Sequence, residues 1–182
     1  MSDQKKIKLF QLIIKLLQHR RTFINILCYN VFMTLARTLQ GKFRPLNPDK
    51  YSGDVGNIIY RSSWEKMFCN WCDKNDEIIA WQSEEKRIRY YDPVAKKNRT
   101  YYPDFYVKYR RKDGIIVEEL VEVKPQKQIE GPPTNPKRRT QSWLNEVRTY
   151  VTNQAKWKAA AEYAEGRGWN FRLVNEHNLG ML

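Results

Sequence analysis

The sequence predicts an α/β fold with the element order helix, strand, strand, strand, helix, strand, behind a helical N-terminal extension. Three observations carry that expectation. A β-hairpin turning at Lys112-Asp113-Gly114 lies mid-chain between runs rich in β-branched and aromatic residues. Ser62-Ser-Trp-Glu65, a capping-box sequence, opens a helix before it. After it comes a long stripe of apolar residues spaced by three and four. Residues 1–40 form a basic, apolar helical extension, and residues 41–182 form the folded body.

Taking the chain in order, Ile7, Phe10, Ile13, Ile14 and Leu17 make a helical stripe beside Lys5, Lys6, Lys8 and Lys15. Phe23 to Ala36 is a second apolar run beyond His19-Arg20-Arg21. Neither reaches the roughly 20 uncharged residues of a spanning helix. Arg20-Arg21 would also split the apolar region of a signal peptide. These runs are expected to dock on the body or on a partner. A membrane surface is not an expected partner, although a basic amphipathic helix has the composition to bind one.

Gly41 to Arg61, with Pro45, Pro48, Gly53 and Gly56, reads as an irregular arm or linker. The helix opened at Ser62 runs to about Lys74 and buries Trp64, Phe68, Trp71 and Cys72. One strand is expected near Lys86–Tyr91, then the hairpin pair from Tyr101 to Tyr109 and from Ile115 to Lys124. Beyond the Pro125 turn, Gly131-Pro-Pro-Thr-Asn-Pro-Lys-Arg-Arg139 is kept out of regular structure by its prolines. Its basic end, Lys137, Arg138 and Arg139, is placed to contact a phosphate backbone. A solvated loop is the plain alternative. The long helix spans roughly Gln141–Arg167, with Trp143, Val147, Tyr150, Gln154, Trp157 and Ala161 on one face. Gln154 is the polar member of that stripe. It is either a hydrogen-bonded core residue or one that reaches a site under the sheet. Trp169–Val174 is the last strand.

Chemistry concentrates on the hairpin. Side chains alternate along a strand, so Glu122 and Lys124 share one face while Val121 and Val123 take the other. In an antiparallel pair the two residue numbers have a constant sum. Asp104 faces Glu122 only if that sum is 226; a two-residue Asp113-Gly114 loop gives 227. A three-residue Lys112-Asp113-Gly114 loop restores parity, with Gly114 as the left-handed residue of a type I turn and G1 bulge. Phe105, Val107, Val117, Val121 and Val123 then share the core face, and Asp104, Lys108, Glu118, Glu122 and Lys124 share the other. Two carboxylates and a lysine so placed can bind a hard divalent cation and position a water for attack on phosphorus. On the hairpin alone a solvated face with a cross-strand ion pair is the simpler reading. Glu65 on spacing alone is a cap, folded onto the backbone N–H of Ser62.

The 182 residues carry 33 Lys and Arg against 20 Asp and Glu, a net +13, which points to a polyanionic partner. Residues 1–44 hold nine basic residues and one acid, +8 of the total, leaving the remainder at +5. The body is thus only mildly basic, as expected of a nucleic-acid binder with a local acidic site. Three cysteines, an odd number, argue against a disulfide scaffold. Cys69-Asn-Trp-Cys72 lacks a second ligand pair and reads as packing; His19 and His177 are isolated.

The order of elements resembles the restriction-endonuclease-like α-β-β-β-α-β core of the PD-(D/E)xK nucleases, a mixed central sheet flanked by helices. The layout is similar to Tn7-type transposon end nucleases, which carry an acid on the helix, and closer to the head completion nucleases of T4-like tailed phages. That resemblance runs through Asn47-Pro-Asp-Lys-Tyr-Ser-Gly53, Tyr60-Arg-Ser-Ser-Trp-Glu65, Ser83-Glu-Glu85, Tyr102-Pro-Asp-Phe-Tyr-Val107, Val121-Glu-Val-Lys-Pro125 and Asn153-Gln-Ala-Lys-Trp-Lys-Ala159. It covers about Gly41 to Leu179, leaves out residues 1–40, and makes residues 41–182 the nuclease domain.

The resemblance implies that Asp104 and Glu122 are metal carboxylates, Lys124 the catalytic lysine and Glu65 the helical acid. Gln154 matches loosely a helix glutamine beside the site, with a nucleic-acid role. The Val123 backbone carbonyl is a further candidate metal ligand. The implied activity is Mg²⁺-dependent DNA phosphodiester hydrolysis, with Mn²⁺ as substitute, trimming or finishing packaged ends before tail joining. The implied partners are DNA and phage head, portal or neck proteins. The implied location is the host cytoplasm, with virion association as a second expectation. A non-catalytic, DNA-binding structural head or neck protein that keeps the nuclease fold is the alternative.

Overall fold

In the computed structural model the chain divides into two units, Met1–Leu39 and Gln40–Leu182, and the structure describes residues 40–179. The helices expected before Leu39, with His19, lie outside the described residues.

The segment expected to be an irregular linker is packed instead. Gly41–Lys42 (β1) pairs antiparallel with Ile59–Tyr60 (β2), and 3-10 turns form at Pro48–Lys50 and Val55–Asn57. The prolines and glycines make the backbone irregular, but the aromatic side chains between them decide its burial. Phe43 and Tyr51 set their rings edge-on to the fully buried Trp81, with centroids 5.9 and 4.7 Å away. The Asp73 carboxylate accepts the backbone N–H groups of Leu46 (2.8 Å) and Asn47 (2.9 Å). Lys50 donates to the carbonyls of Asp73 (3.2 Å) and Asn75 (2.9 Å), at the C-terminus of the following helix where a cation is favoured.

That helix, Ser63–Lys74 (α1), starts where the capping box predicts, with the Ser62 hydroxyl accepting the Glu65 N–H at 3.2 Å. Trp64, Phe68, Cys69 and Cys72 are buried, while Trp71 is only half-buried. Both cysteines are free thiols, and burial pushes their pKa values up.

The central sheet has the strand order β3-β6-β7-β8, namely Ile78–Ser83, Phe105–Arg110, Ile116–Val123 and Asn170–Val174. The first three are antiparallel and β7/β8 is parallel, so the sheet is mixed, as expected. The strand expected near Lys86–Tyr91 is corrected in role. Ile88–Asp92 (β4) pairs only with Lys97–Tyr101 (β5), in a separate ribbon. The first strand of the central sheet is Ile78–Ser83. The run from Tyr101 to Tyr109 is likewise two strands, broken at Tyr102-Pro103-Asp104, because proline cannot extend the ladder.

The hairpin register is the expected one. Phe105 pairs with Val121 and Arg110 with Ile116, a constant sum of 226. Arg111 N–H donates to Ile115 C=O at 2.9 Å, and Gly114 N–H to Arg111 C=O at 2.9 Å. Gly114 has φ +84°, the left-handed conformation that closes a three-residue loop. Phe105, Val107 and Val121 are buried on one face, where Phe68 of α1 meets Phe105 at 4.5 Å between centroids. The opposite face is covered too: Tyr106 and Leu120 join Ile88, Tyr90 and Tyr101 of the ribbon and Ala160 and Ala164 of the long helix. A sheet covered on both faces can bury polar groups, provided they are paired.

After β7, Gln126–Glu130 forms a short helix (α2) behind Pro125, and residues 131–139 stay out of helix and strand, as expected. The long helix Gln141–Glu165 (α3) is capped by the Thr140 hydroxyl, which accepts the Trp143 N–H at 3.2 Å. Its buried line is Asn153, Trp157, Ala160 and Ala164; Gln154 and Ala161 are exposed. The expected face is therefore rotated by about one residue. Small alanines let the helix close on β4 and the sheet, and the bulky residues at its start did not set its rotation. Glu176–Leu179 (α4) follows β8. No helix among the described residues is long and apolar enough to cross a membrane.

Candidate active site

The site forms where β6 begins and β7 ends. Register alone brings Asp104 opposite Glu122, and the chain then holds each carboxylate through its own backbone contacts. Asp104 Oδ2 accepts the Val123 N–H at 2.8 Å. The Asp104 N–H lies 3.4 Å from Glu122 Oε2. Lys124 completes the group. Its Nζ stands 2.9 Å from Glu122 Oε1, 3.3 Å from Asp104 Oδ2 and 3.2 Å from the Val123 carbonyl oxygen. Three oxygens of the expected metal-ligand set thus converge on one cationic point.

The electrostatics are unbalanced. Two carboxylates share one ammonium in a half-buried to buried position, Glu122 being only 3% exposed. Burial first, and the Glu122 charge second, push the Asp104 carboxyl up to about 7. Burial pulls the Lys124 ammonium down, but the charges of Asp104 and Glu122 outweigh it and hold that pKa above its ordinary value.

Tyr101, at the end of the ribbon, is a member that sequence reasoning missed. Its hydroxyl donates to Glu122 Oε2 at 2.5 Å, and burial followed by the Glu122 charge raises its pKa. It stands three residues before Asp104, on a strand that is not in the central sheet. No spacing in the sequence points from one to the other.

Glu65 sits at the start of α1, close enough for its charge to raise the Asp104 pKa. Its carboxylate accepts the Arg61 N–H at Oε2 (2.6 Å) and the Ser62 hydroxyl at Oε1 (2.9 Å). The cap is real, but the backbone donor is Arg61 and not the expected Ser62. Arg61 itself forms a two-pronged ion pair with Glu84, at 2.8 Å on each arm. Glu84 in turn donates its N–H to Asp104 C=O at 3.2 Å. Lys137, Arg138 and Arg139 are exposed before α3, with Arg139 5.9 Å from the Trp143 ring centroid. Gln154 is exposed on α3 and does not occupy the buried polar position, which Asn153 takes.

The donors suit a hard divalent cation: two carboxylates and one carbonyl, all oxygen, already gathered on a positive charge. Among the described residues no three His, Cys, Asp or Glu side chains form a ligand cluster. Of carboxylate side chains the group has two, Asp104 and Glu122.

A β-β hairpin carrying Pro103-Asp104 and Glu122-Val-Lys124, set in a mixed sheet between helices, defines a PD-(D/E)xK-type nuclease. Comparison with known proteins narrows the class. The family of TnsA-like endonucleases, N-terminal part, matches residues 75–176. The head completion nuclease of Enterobacteria phage T4 is 42% identical over 146 residues, which is 78% of this chain and 94% of that protein. The chain belongs to this TnsA-like nuclease family. No solved structure matches it.

Proposed function

We propose that this chain is a Mg²⁺-dependent DNA nuclease, with Mn²⁺ as substitute, that trims or finishes packaged DNA ends during phage head completion. The reading rests above all on the convergence of Asp104, Glu122 and the Val123 carbonyl on a single cation position. The phage role rests on the likeness to the T4 protein. DNA and phage head, portal or neck proteins are the corresponding partners, in the host cytoplasm or on the virion. Residues 41–182 would be the nuclease domain, and residues 1–40 an extension to it.

Asp104, Glu122 and the Val123 carbonyl would hold the ion. Once bound, such an ion lowers the pKa of a water and offsets charge building on the phosphate. Lys124 would offer its ammonium to the attacking water or to the phosphate oxygens. Tyr101 holds Glu122 Oε2 and so orients the carboxylate that would bind the ion. Glu65, fixed by Arg61 and Ser62, adds negative charge beside Asp104. The water oxygen bonds to phosphorus, one phosphorus–oxygen bond of the backbone breaks, and a phosphate and a hydroxyl end result.

The test is incubation of linear and circular DNA with the purified chain in Mg²⁺, Mn²⁺ and EDTA. Cleavage in either metal and none in EDTA is the expected result. DNA binding without cleavage in either metal would replace this reading with a structural head or neck protein.

A further inference from the structure

A second polar cluster lies beside the site, on the ribbon-facing side of α3. Arg148, Thr149, Thr152, Asn153 and Lys156 line an open cavity of about 240 Å³. Its lining holds two cations, two hydroxyls and one amide, and no carboxylate. The third cation on the long helix, Lys158, is paired with Glu162 at 3.9 Å. Arg148 and Lys156 form no ion pair among the described residues; Arg148 reaches only the Asn145 amide oxygen, at 3.5 Å.

Asn153 is the unexpected member. It is 7% exposed, on the buried line of a helix whose other buried members are Trp157, Ala160 and Ala164. Its amide has no hydrogen-bond partner among the described residues, and it lines the cavity. An amide so placed can donate to a ligand oxygen in the cavity.

The nearest anion, Asp92, takes the Thr152 hydroxyl and is otherwise held by its own donors. Thr152 Oγ1 lies 3.5 Å from Asp92 Oδ1. Asp92 already accepts the Val94 and Ala95 N–H groups and pairs with Arg99 at 3.2 Å, and these contacts, the Ala95 N–H first, hold its carboxyl below the usual range. The cavity is also tied to the active site by one side chain. Lys156 Nζ is 5.7 Å from the centroid of the Tyr101 ring, whose hydroxyl holds Glu122.

We propose that Arg148, Thr152, Asn153 and Lys156 form a subsite for a backbone phosphate of DNA, neighbouring the phosphate being cut. The assignment builds on the nuclease reading. Arg148 and Lys156 supply the charge, and Asn153 an amide donor that fixes the oxygen position, with Thr152 lining the cavity. The subsite aligns the strand across the ribbon so that the next phosphate reaches Asp104 and Glu122.

The experiment measures DNA affinity of the full chain in EDTA, across a salt series, for wild type, Asn153→Ala, Asn153→Asp, Lys156→Gln, Arg148→Gln and Lys158→Gln. Cleavage in Mg²⁺ is measured beside it. Lys156→Gln and Arg148→Gln should each weaken binding about tenfold, the loss of one charge-assisted contact. Each should also lower the slope of log affinity against log salt by about one. Asn153→Asp should bind worse than Asn153→Ala, because it puts a carboxylate against the phosphate. KM for DNA should rise with kcat within about twofold, and Lys158→Gln should match wild type. Equal affinity and salt slope for all variants would overturn the subsite, as would inorganic phosphate binding to the cavity with DNA affinity unchanged by the substitutions. Absence of cleavage by wild type itself would defeat the nuclease reading alone, since the affinities in EDTA are read without it.

Discussion

Two Glu–Lys–Tyr groups lie on one face of the hairpin with their glutamates four residues apart, one taking its tyrosine from the ribbon, and they differ in a single carboxylate. At the turn-ward group, Glu118 accepts the Tyr106 hydroxyl at 2.6 Å and pairs with Lys108 at 3.3 Å. At the other, Glu122 accepts the Tyr101 hydroxyl at 2.5 Å and pairs with Lys124 at 2.9 Å, and Asp104 joins them. The first group is balanced, one acid to one base. The Tyr106 hydrogen bond, with Lys108 behind it, lowers the Glu118 pKa. The second carries an extra negative charge in a more buried place, and the Asp104 pKa rises. A cross-strand ion pair and the proposed cation site are thus built from the same parts. What separates them is a second carboxylate that the pair cannot neutralise.

The largest expected effect tests that difference directly. Asp104→Asn or Glu122→Gln should reduce metal-dependent DNA cleavage by at least ~10²–10³, the usual scale for removing a site's electrostatic component. Glu118→Gln should leave the rate within about twofold. Wild-type cleavage by Asp104→Asn would break the comparison.

Next come the lysines. Lys124→Ala should end cleavage and lower the thermal midpoint of the metal-free protein, because two buried carboxylates lose their shared counter-ion. Lys108→Ala removes a part-exposed pair, worth about 0–1 kcal/mol, and should barely move the midpoint. Thermal melts in EDTA decide it. Equal shifts for the two would mean the groups do not differ in charge balance.

Glu65→Gln tests whether the acid beside the pair belongs to it. The amide oxygen can still accept the Arg61 N–H, so the midpoint should hold within a few degrees. Cleavage should drop about 10²-fold through the lost charge. Retained cleavage would leave Glu65 as a cap alone.

A pH series sharpens the comparison further. A carboxyl whose folded pKa is raised stabilises the fold while protonated and stops doing so as pH climbs through the folded value. With an unfolded pKa of about 3.9, Asp104 should make the metal-free protein lose stability between about pH 4 and its folded pKa of about 7. Asp104→Asn should flatten that part of the profile. Glu118, its pKa lowered, acts in the opposite sense: its stabilisation, present above its unfolded value, is lost as pH falls further. Denaturant midpoints at several pH values, in EDTA, check both signs.

The smallest effect belongs to the tyrosines. Tyr101→Phe and Tyr106→Phe should each cost about 1.5 kcal/mol, the low end for one hydrogen bond to a carboxylate. Only Tyr101→Phe should weaken Mn²⁺ binding, by about tenfold, because only its partner is a proposed cation ligand. Calorimetric titration with Mn²⁺ separates the two.

Much of this could be read in the chain before any coordinates. Side-chain alternation and the parity of the Lys112-Asp113-Gly114 loop are local rules, and they put Asp104, Glu122 and Lys124 together on one face. The start of α1 was equally legible, because Ser62 and Glu65 are three residues apart and capping is local. Other features depend on what a segment meets across space. Residues 41–61 look like a linker until Phe43 and Tyr51 find Trp81. Ile88–Asp92 looks like a strand of the main sheet until its neighbours leave it only β5 to pair with.

The rotation of α3 was decided by what its alanines pack against, so Asn153 and not Gln154 became the buried polar residue. Tyr101 reaches Glu122 only because the ribbon folds over the hairpin. The sequence by itself determined the charge, the turn, the register and the acidic residues, all set within a few positions of one another. The tertiary structure alone decided which of two similar ion groups is buried with an unpaired charge. Burial and charge balance are sums over distant neighbours, and no short stretch of chain contains them.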